Sequence, residues 1–149
     1  MKICDLVNAP AWLLHAETKD ADVDVSLMEW VTWNSGDFLG GDFLGGNFRG
    51  GNFRGGKVCG VEAQKLRAYI GLYPYQISAF LSVDGTRYVQ MGCLLHTIEK
   101  WGMIGIRQSN LSEFPDDGSE QCEERVAAFE FAKCTALRMK ASADKAAGK

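Results

Sequence analysis

Residues 32–61 read TWNSG DFLGG DFLGG NFRGG NFRGG KVCGV, and the fold turns on how that run is read. A large apolar residue recurs every five positions, at Trp33, Phe38, Phe43, Phe48, Phe53 and Val58. Glycine closes the first five units, at Gly36, Gly41, Gly46, Gly51 and Gly56. A helix repeats its apolar face at about 3.6 residues and a strand at 2, so neither has this period. Units too short to bury an apolar side chain alone do so by stacking. The period therefore predicts a short β-solenoid, a five-residue-repeat β-helix. Its aromatic rings would point inward and its glycines sit at the corners, where the chain needs φ > 0 or close backbone approach. With four units to a square coil, the six units make about one and a half coils. Leu39 and Leu44 then lie on two sides, and Arg49 and Arg54 on the other two. One half would be acidic and apolar, the other basic, and the leucines would mark a contact surface.

The rest of the chain is placed around that run. Residues 1–31 read as an N-terminal cap for the solenoid, with Trp12, Leu14, Met28 and Trp30 as covering side chains and alternation at 22–26 as a strand. Residues 62–140 read as a small α/β module, a β-hairpin with two helices, and 141–149 as a flexible tail. Residues 61–70 suit either a short helix or an extended link. Asp84-Gly85 between two β-rich runs predicts a hairpin with a type I′ turn. Residues 93–101 read as a short helix with Leu94, Ile98 and Trp101 on one side, followed by an extended segment at 104–107. A long helix is expected to about Lys140, capped by Asp117 with Glu120 three residues on, and buried along Cys122, Val126, Phe129, Ala136 and Leu137. Phe131 projects almost opposite to Phe129. It is either covered by another part of the chain or exposed for a partner.

Bulk properties narrow the function classes. Apolar residues make up 46% of 149, enough for a real core. The net charge of −3 argues against direct nucleic-acid binding by phosphate neutralisation. No apolar run approaches the ~18–20 residues of a membrane span, and the N-terminus lacks a secretion signal. A cytoplasmic setting is expected, with the five cysteines as free thiols.

The repeat units resemble the pentapeptide-repeat family. They are still more similar to phage and prophage proteins of unassigned function, in which Gly-Gly-rich five-residue repeats precede a Gly-Cys-x-x-His-Thr domain. Here that motif is Gly92-Cys93-Leu94-Leu95-His96-Thr97, with Trp101 shortly after. The resemblance implies a host bacterial cytoplasm and interference with a host enzyme or defence complex.

Chemistry-bearing candidates are few. On a helix, Cys93 and His96 would be neighbours, and a cysteine at a helix N-terminus beside a histidine can act as a nucleophile. No orienting acid or oxyanion site accompanies them. A structural zinc site needs four ligands, and Cys93 and His96 are the one close pair, so no metal or cofactor is implied. Glu113, Asp116, Asp117, Glu120, Glu123 and Glu124 form an acidic cluster able to meet a basic surface, with Asp116, Asp117, Glu120 and Glu124 as the expected contacts. The expected function is a non-catalytic macromolecule-binding protein, using Leu39, Leu44, Arg49, Arg54, the acidic cluster and Phe131. Self-association through the solenoid ends is expected with it. The alternatives are a Cys93/His96 enzyme and a small-ligand (nucleotide) binder lined by Tyr69, Tyr73 and Tyr75.

Overall fold

A computed structural model describes residues 1–27, 30–44 and 46–141. Its strands are β1 (Glu17–Val25), β2 (Val31–Gly40), β3 (Asp42–Phe43), β4 (Asn47–Phe48), β5 (Asn52–Phe53), β6 (Lys57–Val58), β7 (Val61–Tyr69), β8 (Ile77–Ser82), β9 (Arg87–Met91) and β10 (Leu94–Thr97). Its α-helices are α1 (Ala11–Leu14), α2 (Ile98–Ile104) and α3 (Glu120–Arg138). The strands form one mixed ten-stranded sheet ordered β1-β2-β4-β7-β8-β9-β10, with β3, β5 and β6 paired off that path.

The repeat does not form a solenoid. Residues fifteen apart pair in parallel, Trp33 with Phe48, Phe38 with Phe53 and Phe43 with Val58. The chain therefore comes back beside itself after three units, not four. The N–H groups of Arg49, Arg54 and Lys57 donate to the carbonyls of Trp33, Phe38 and Gly41 at 3.1, 2.8 and 2.8 Å. Two such layers use up all six units. The outer side of one is taken by β1, antiparallel to β2, and that of the other by β7, antiparallel to β4 and β6. Long antiparallel strands thus stand where further coils would stack, and association through open solenoid ends loses its premise. The fifteen-residue register also sets Arg54 beside Leu39 and Arg49 beside Asn34, so separate apolar and basic halves do not form.

What the repeat does supply is ring stacking. Trp33 lies parallel to Phe48 at 5.5 Å and Phe38 to Phe53 at 4.9 Å, while rings of adjacent units meet edge to face. Glycine permits this closeness: a Cβ on Gly51, at φ +77, would fall 2.2 Å from the Gly36 carbonyl oxygen. At the N-terminus, Leu13 is buried and Trp12 packs edge-on against Phe43 at 5.0 Å. Leu14 and Trp30 are exposed, so they do not cover the repeat. Met28 and residues 142–149 of the expected tail lie outside the described residues.

The α/β part keeps its hairpin and changes its details. The ambiguous segment is the strand β7, joined to β6 by Cys59 and Gly60, both at positive φ (+52 and +82). That two-residue turn has the primed geometry hairpins favour. The β8–β9 turn is instead closed by Gly85 donating to the Ser82 carbonyl, and of the two turn residues Asp84 and Gly85 only Gly85 has positive φ. It is thus a type I turn followed by a left-handed glycine, not type I′. Residues 94–97 are strand β10, paired with β9, and α2 begins at Ile98 with the Thr97 hydroxyl accepting from Lys100 N–H at 3.1 Å. As a strand, this segment sends Leu95 to one core and Leu94 to the other, which a helix could not do. Ile104 ends α2, and Ile106–Gln108 is a 3₁₀ turn rather than an extended segment. The cap of α3 is Ser119, accepting from Cys122 N–H at 3.2 Å; Asp117 caps Ser119 N–H instead. The helix ends at Arg138, where Arg87 donates to the Ala136 and Met139 carbonyls at 3.0 and 2.6 Å.

The sheet is covered on both faces, which is why every residue of β8 is buried. Phe80 joins the core under the repeat, with Trp33, Phe38, Phe48 and Leu66. Ile77, Ala79 and Leu81 face the second core, with Trp101, Phe129, Ala132 and Ala136. Among the described residues no helix is long and apolar enough to cross a membrane.

Candidate functional site

Strand β7 positions the first site. Leu66 and Ala68 enter the repeat core, so by the period of two Lys65, Arg67 and Tyr69 emerge on the opposite side. There they meet the repeat unit at Asn52–Phe53 and the last turn of α3. The result is an open groove of about 670 Å³ lined by Arg54, Lys65, Arg67 and Arg138, with Asn52, Gln64, Tyr69 and Thr135. No carboxylate is among the lining residues. Arg54 Nε lies 3.3 Å from the Asp37 carboxylate just outside. Asn52's side-chain hydrogen bond, and then the Arg54 charge, hold the Asp37 carboxyl below the usual carboxylate range. Among the described residues, Lys65, Arg67 and Arg138 have no carboxylate at ion-pair distance.

The second site is a cavity of about 260 Å³ between residues 73–75, the β9–β10 turn and the start of α3. Tyr73, Tyr75 and Phe114 wall it, their ring centroids 5.9 to 6.3 Å apart. Cys93, Glu113 and Arg125 also line it. Arg125 is 3% exposed and lies 5.1 Å over the Phe114 ring. Its Nη1 donates to the Ile106 carbonyl at 3.0 Å and the Ser109 hydroxyl at 2.9 Å, while among the described residues Nη2 has no partner. The Tyr75 hydroxyl donates to the Glu113 carboxylate at the mouth. Burial pushes the Tyr73 phenol up to about 12, so it stays protonated.

These two sites draw differently on the residues the sequence singled out. Arg54 and Tyr69 reach the groove, where Tyr69 meets Phe131 edge to face at 5.0 Å, and Tyr73, Tyr75 and Cys93 share the cavity. Cys93 sits in a turn and His96 in a strand, its ring edge-on to Trp101 at 4.9 Å. The helical neighbourhood expected of that pair is therefore not formed. Leu39, Leu44 and Arg49 are exposed outside both sites. Asp116 and Glu123 bind Arg107, Glu123 doing so with both oxygens at 2.6 and 2.9 Å. With Asp117 spent on capping and Glu113 accepting from the Tyr75 hydroxyl, Glu120 and Glu124 are left of the expected acidic surface. Among the described residues, no three His, Cys, Asp or Glu side chains converge as metal ligands.

The residues not foreseen had a signal. On α3 the spacing 122, 125, 129, 132, 136 steps by three and four, which marks one helix face. It places Arg125 among buried residues, whereas Val126 and Leu137 lie off that face. Lys65, Arg67 and Tyr69 alternate with Leu66 and Ala68, a strand signature. No family model, curated protein or solved structure matches the chain.

Proposed function

We propose that this chain is a non-catalytic binding protein that docks an acidic protein surface in the groove beside β7. The observation that supports this is the lining itself: Arg54, Lys65, Arg67 and Arg138 converge with no carboxylate among them, in a chain whose net charge is −3. Cations gathered against the overall charge steer and orient a complementary partner. The net negative charge disfavours a duplex, whose phosphates meet the whole molecule's field. The resemblance of the repeat and the Gly92–Thr97 motif to phage proteins adds a partner class, a host enzyme or defence complex in a bacterial cytoplasm. The five free cysteines suit that reducing setting.

Lys65 and Arg67 carry the test because both line the groove, and Lys65→Glu alone controls for the contact of the Arg67 guanidinium with the Phe48 ring at 6.0 Å. Octaglutamate, titrated at low salt, binds the wild-type chain, and Lys65→Glu with Arg67→Glu weakens it by about tenfold or more. Unchanged binding by the double variant overturns the proposal. Tighter binding of a duplex DNA of equal charge overturns it in favour of nucleic acid, and a doubled solution mass lost in the double variant overturns it in favour of a second copy.

A further inference from the structure

Arg125 is held in the interior with the Phe114 ring face 5.1 Å from its guanidinium and, among the described residues, with no counter-charge. A buried cation costs several kcal/mol unless a counter-charge accompanies it. Both acceptors of Nη1, the Ile106 carbonyl and the Ser109 hydroxyl, are neutral, and among the described residues Nη2 has none. Among the described residues no carboxylate lies at ion-pair distance from it. Pinning the Ile106–Gln108 turn to α3 accounts for one nitrogen, not for the charge or for the cavity beside it. A concave apolar space with a few convergent polar groups is the usual form of a ligand site.

The lining says what would fit. A guanidinium is planar and matches a carboxylate. Glu113, exposed at the mouth and tied to Tyr75, repels a plain anion and attracts an ammonium group. The faces of Tyr73, Tyr75 and Phe114 also accept a cation. The volume of about 260 Å³ is below the range for drug-sized ligands, roughly 300–1,000 Å³.

From this geometry we infer that the cavity binds a small zwitterion of amino-acid size, its carboxylate on Arg125 and its ammonium toward Glu113 and the aromatic walls. Nη2 is closed off from solvent, so a side chain of the lining gives way as the carboxylate enters. Cys93, exposed and in the same lining, becomes covered. This site is separate from the β7 groove, and either can fail without the other.

The full chain is titrated with glycine, leucine and phenylalanine, and with two partial mimics of leucine, 4-methylpentanoate and 3-methylbutylamine. At least one zwitterion should shift the Tyr75 and Phe114 ring resonances, slow thiol labelling of Cys93 and bind about tenfold tighter than either mimic. Glu113→Gln should leave the melting temperature unchanged and erase the zwitterion's advantage over 4-methylpentanoate. The inference is overturned if no zwitterion perturbs those rings or Cys93 up to about 10 mM, or if 3-methylbutylamine binds as well as the best zwitterion.

Discussion

The two faces of β8 meet interiors built on different principles. Under the repeat, similar units bring rings onto rings and backbone rests on backbone, and among the described residues the one charged side chain against these rings is Arg67, which lies over Phe48 from outside the buried core. Under the helices, Trp101 and Phe129 pack among small residues, Ala128, Ala132 and Ala136, and a charged Arg125 lies on the same helix face. The first interior is stabilised by close packing that any change of volume or backbone disturbs. The second tolerates a polar insertion and leaves a cavity beside it. Regularity thus serves architecture here, and the irregular side carries the features a ligand could use.

The largest effect expected on this contrast comes from Phe48, stacked on Trp33 and in contact with Phe43 and Phe53. Phe48→Ala should cost about 3–5 kcal/mol in denaturant unfolding. Phe131→Ala, at a 45% exposed ring on the helix side, should cost less than about 1 kcal/mol. A similar loss at Phe131 would show that its ring is packed as tightly as one of the repeat core. Next, Gly51→Ala meets the Gly36 carbonyl at 2.2 Å and an unfavourable φ, and should cost about 2–3 kcal/mol. Gly118→Ala, where nothing lies within 4 Å, carries only the φ penalty of about 1 kcal/mol.

A smaller effect sharpens the comparison from the other side. Arg125→Met removes a buried charge but also its hydrogen bonds to the Ile106 carbonyl and Ser109 hydroxyl and its contact with the Phe114 ring; the effects oppose, so stability should change by no more than about 1 kcal/mol, in either direction. A loss of about 3 kcal/mol or more would show that the arginine is a structural tie. The smallest is a pH effect at Tyr73. Its folded pKa is raised by burial to about 12 from the ordinary 10.0, so between those values the unfolded chain binds fewer protons than the folded one. Stability should therefore fall as pH rises through that window, and phenolate absorbance should show one of the four tyrosines ionising last. Early ionisation of all four would place Tyr73 in water.

Much of this architecture was legible, and the misses have physical causes. The five-residue period located the buried rings one by one, because apolar residues at fixed spacing must face the same way. It did not give the register: stacking every three units and every four leave the same sequence pattern, and only backbone pairing distinguishes them. The hairpin around Gly85 was visible, while its turn type depended on one φ that Asp-Gly does not fix. Cys93 and His96 were misplaced because Leu94, Ile98 and Trp101 fit helical spacing, yet sheet pairing buries Leu94 and Leu95 on two faces. Cys93 does reach the candidate cavity, through its turn and not as a helical partner of His96. Arg125 was missed because a charged residue breaks an apolar stripe that otherwise reads plainly.

The central claim is that the repeat is a layer of a two-faced sheet, in fifteen-residue register and closed off by β7. Nuclear Overhauser contacts between aromatic rings test it most directly. Contacts of Trp33 with Phe48 and of Phe38 with Phe53 are expected, with slow exchange of the Arg49, Arg54 and Lys57 amides. Contacts at twenty residues instead, Trp33 with Phe53 and Phe38 with Val58, would contradict it and restore the four-unit coil.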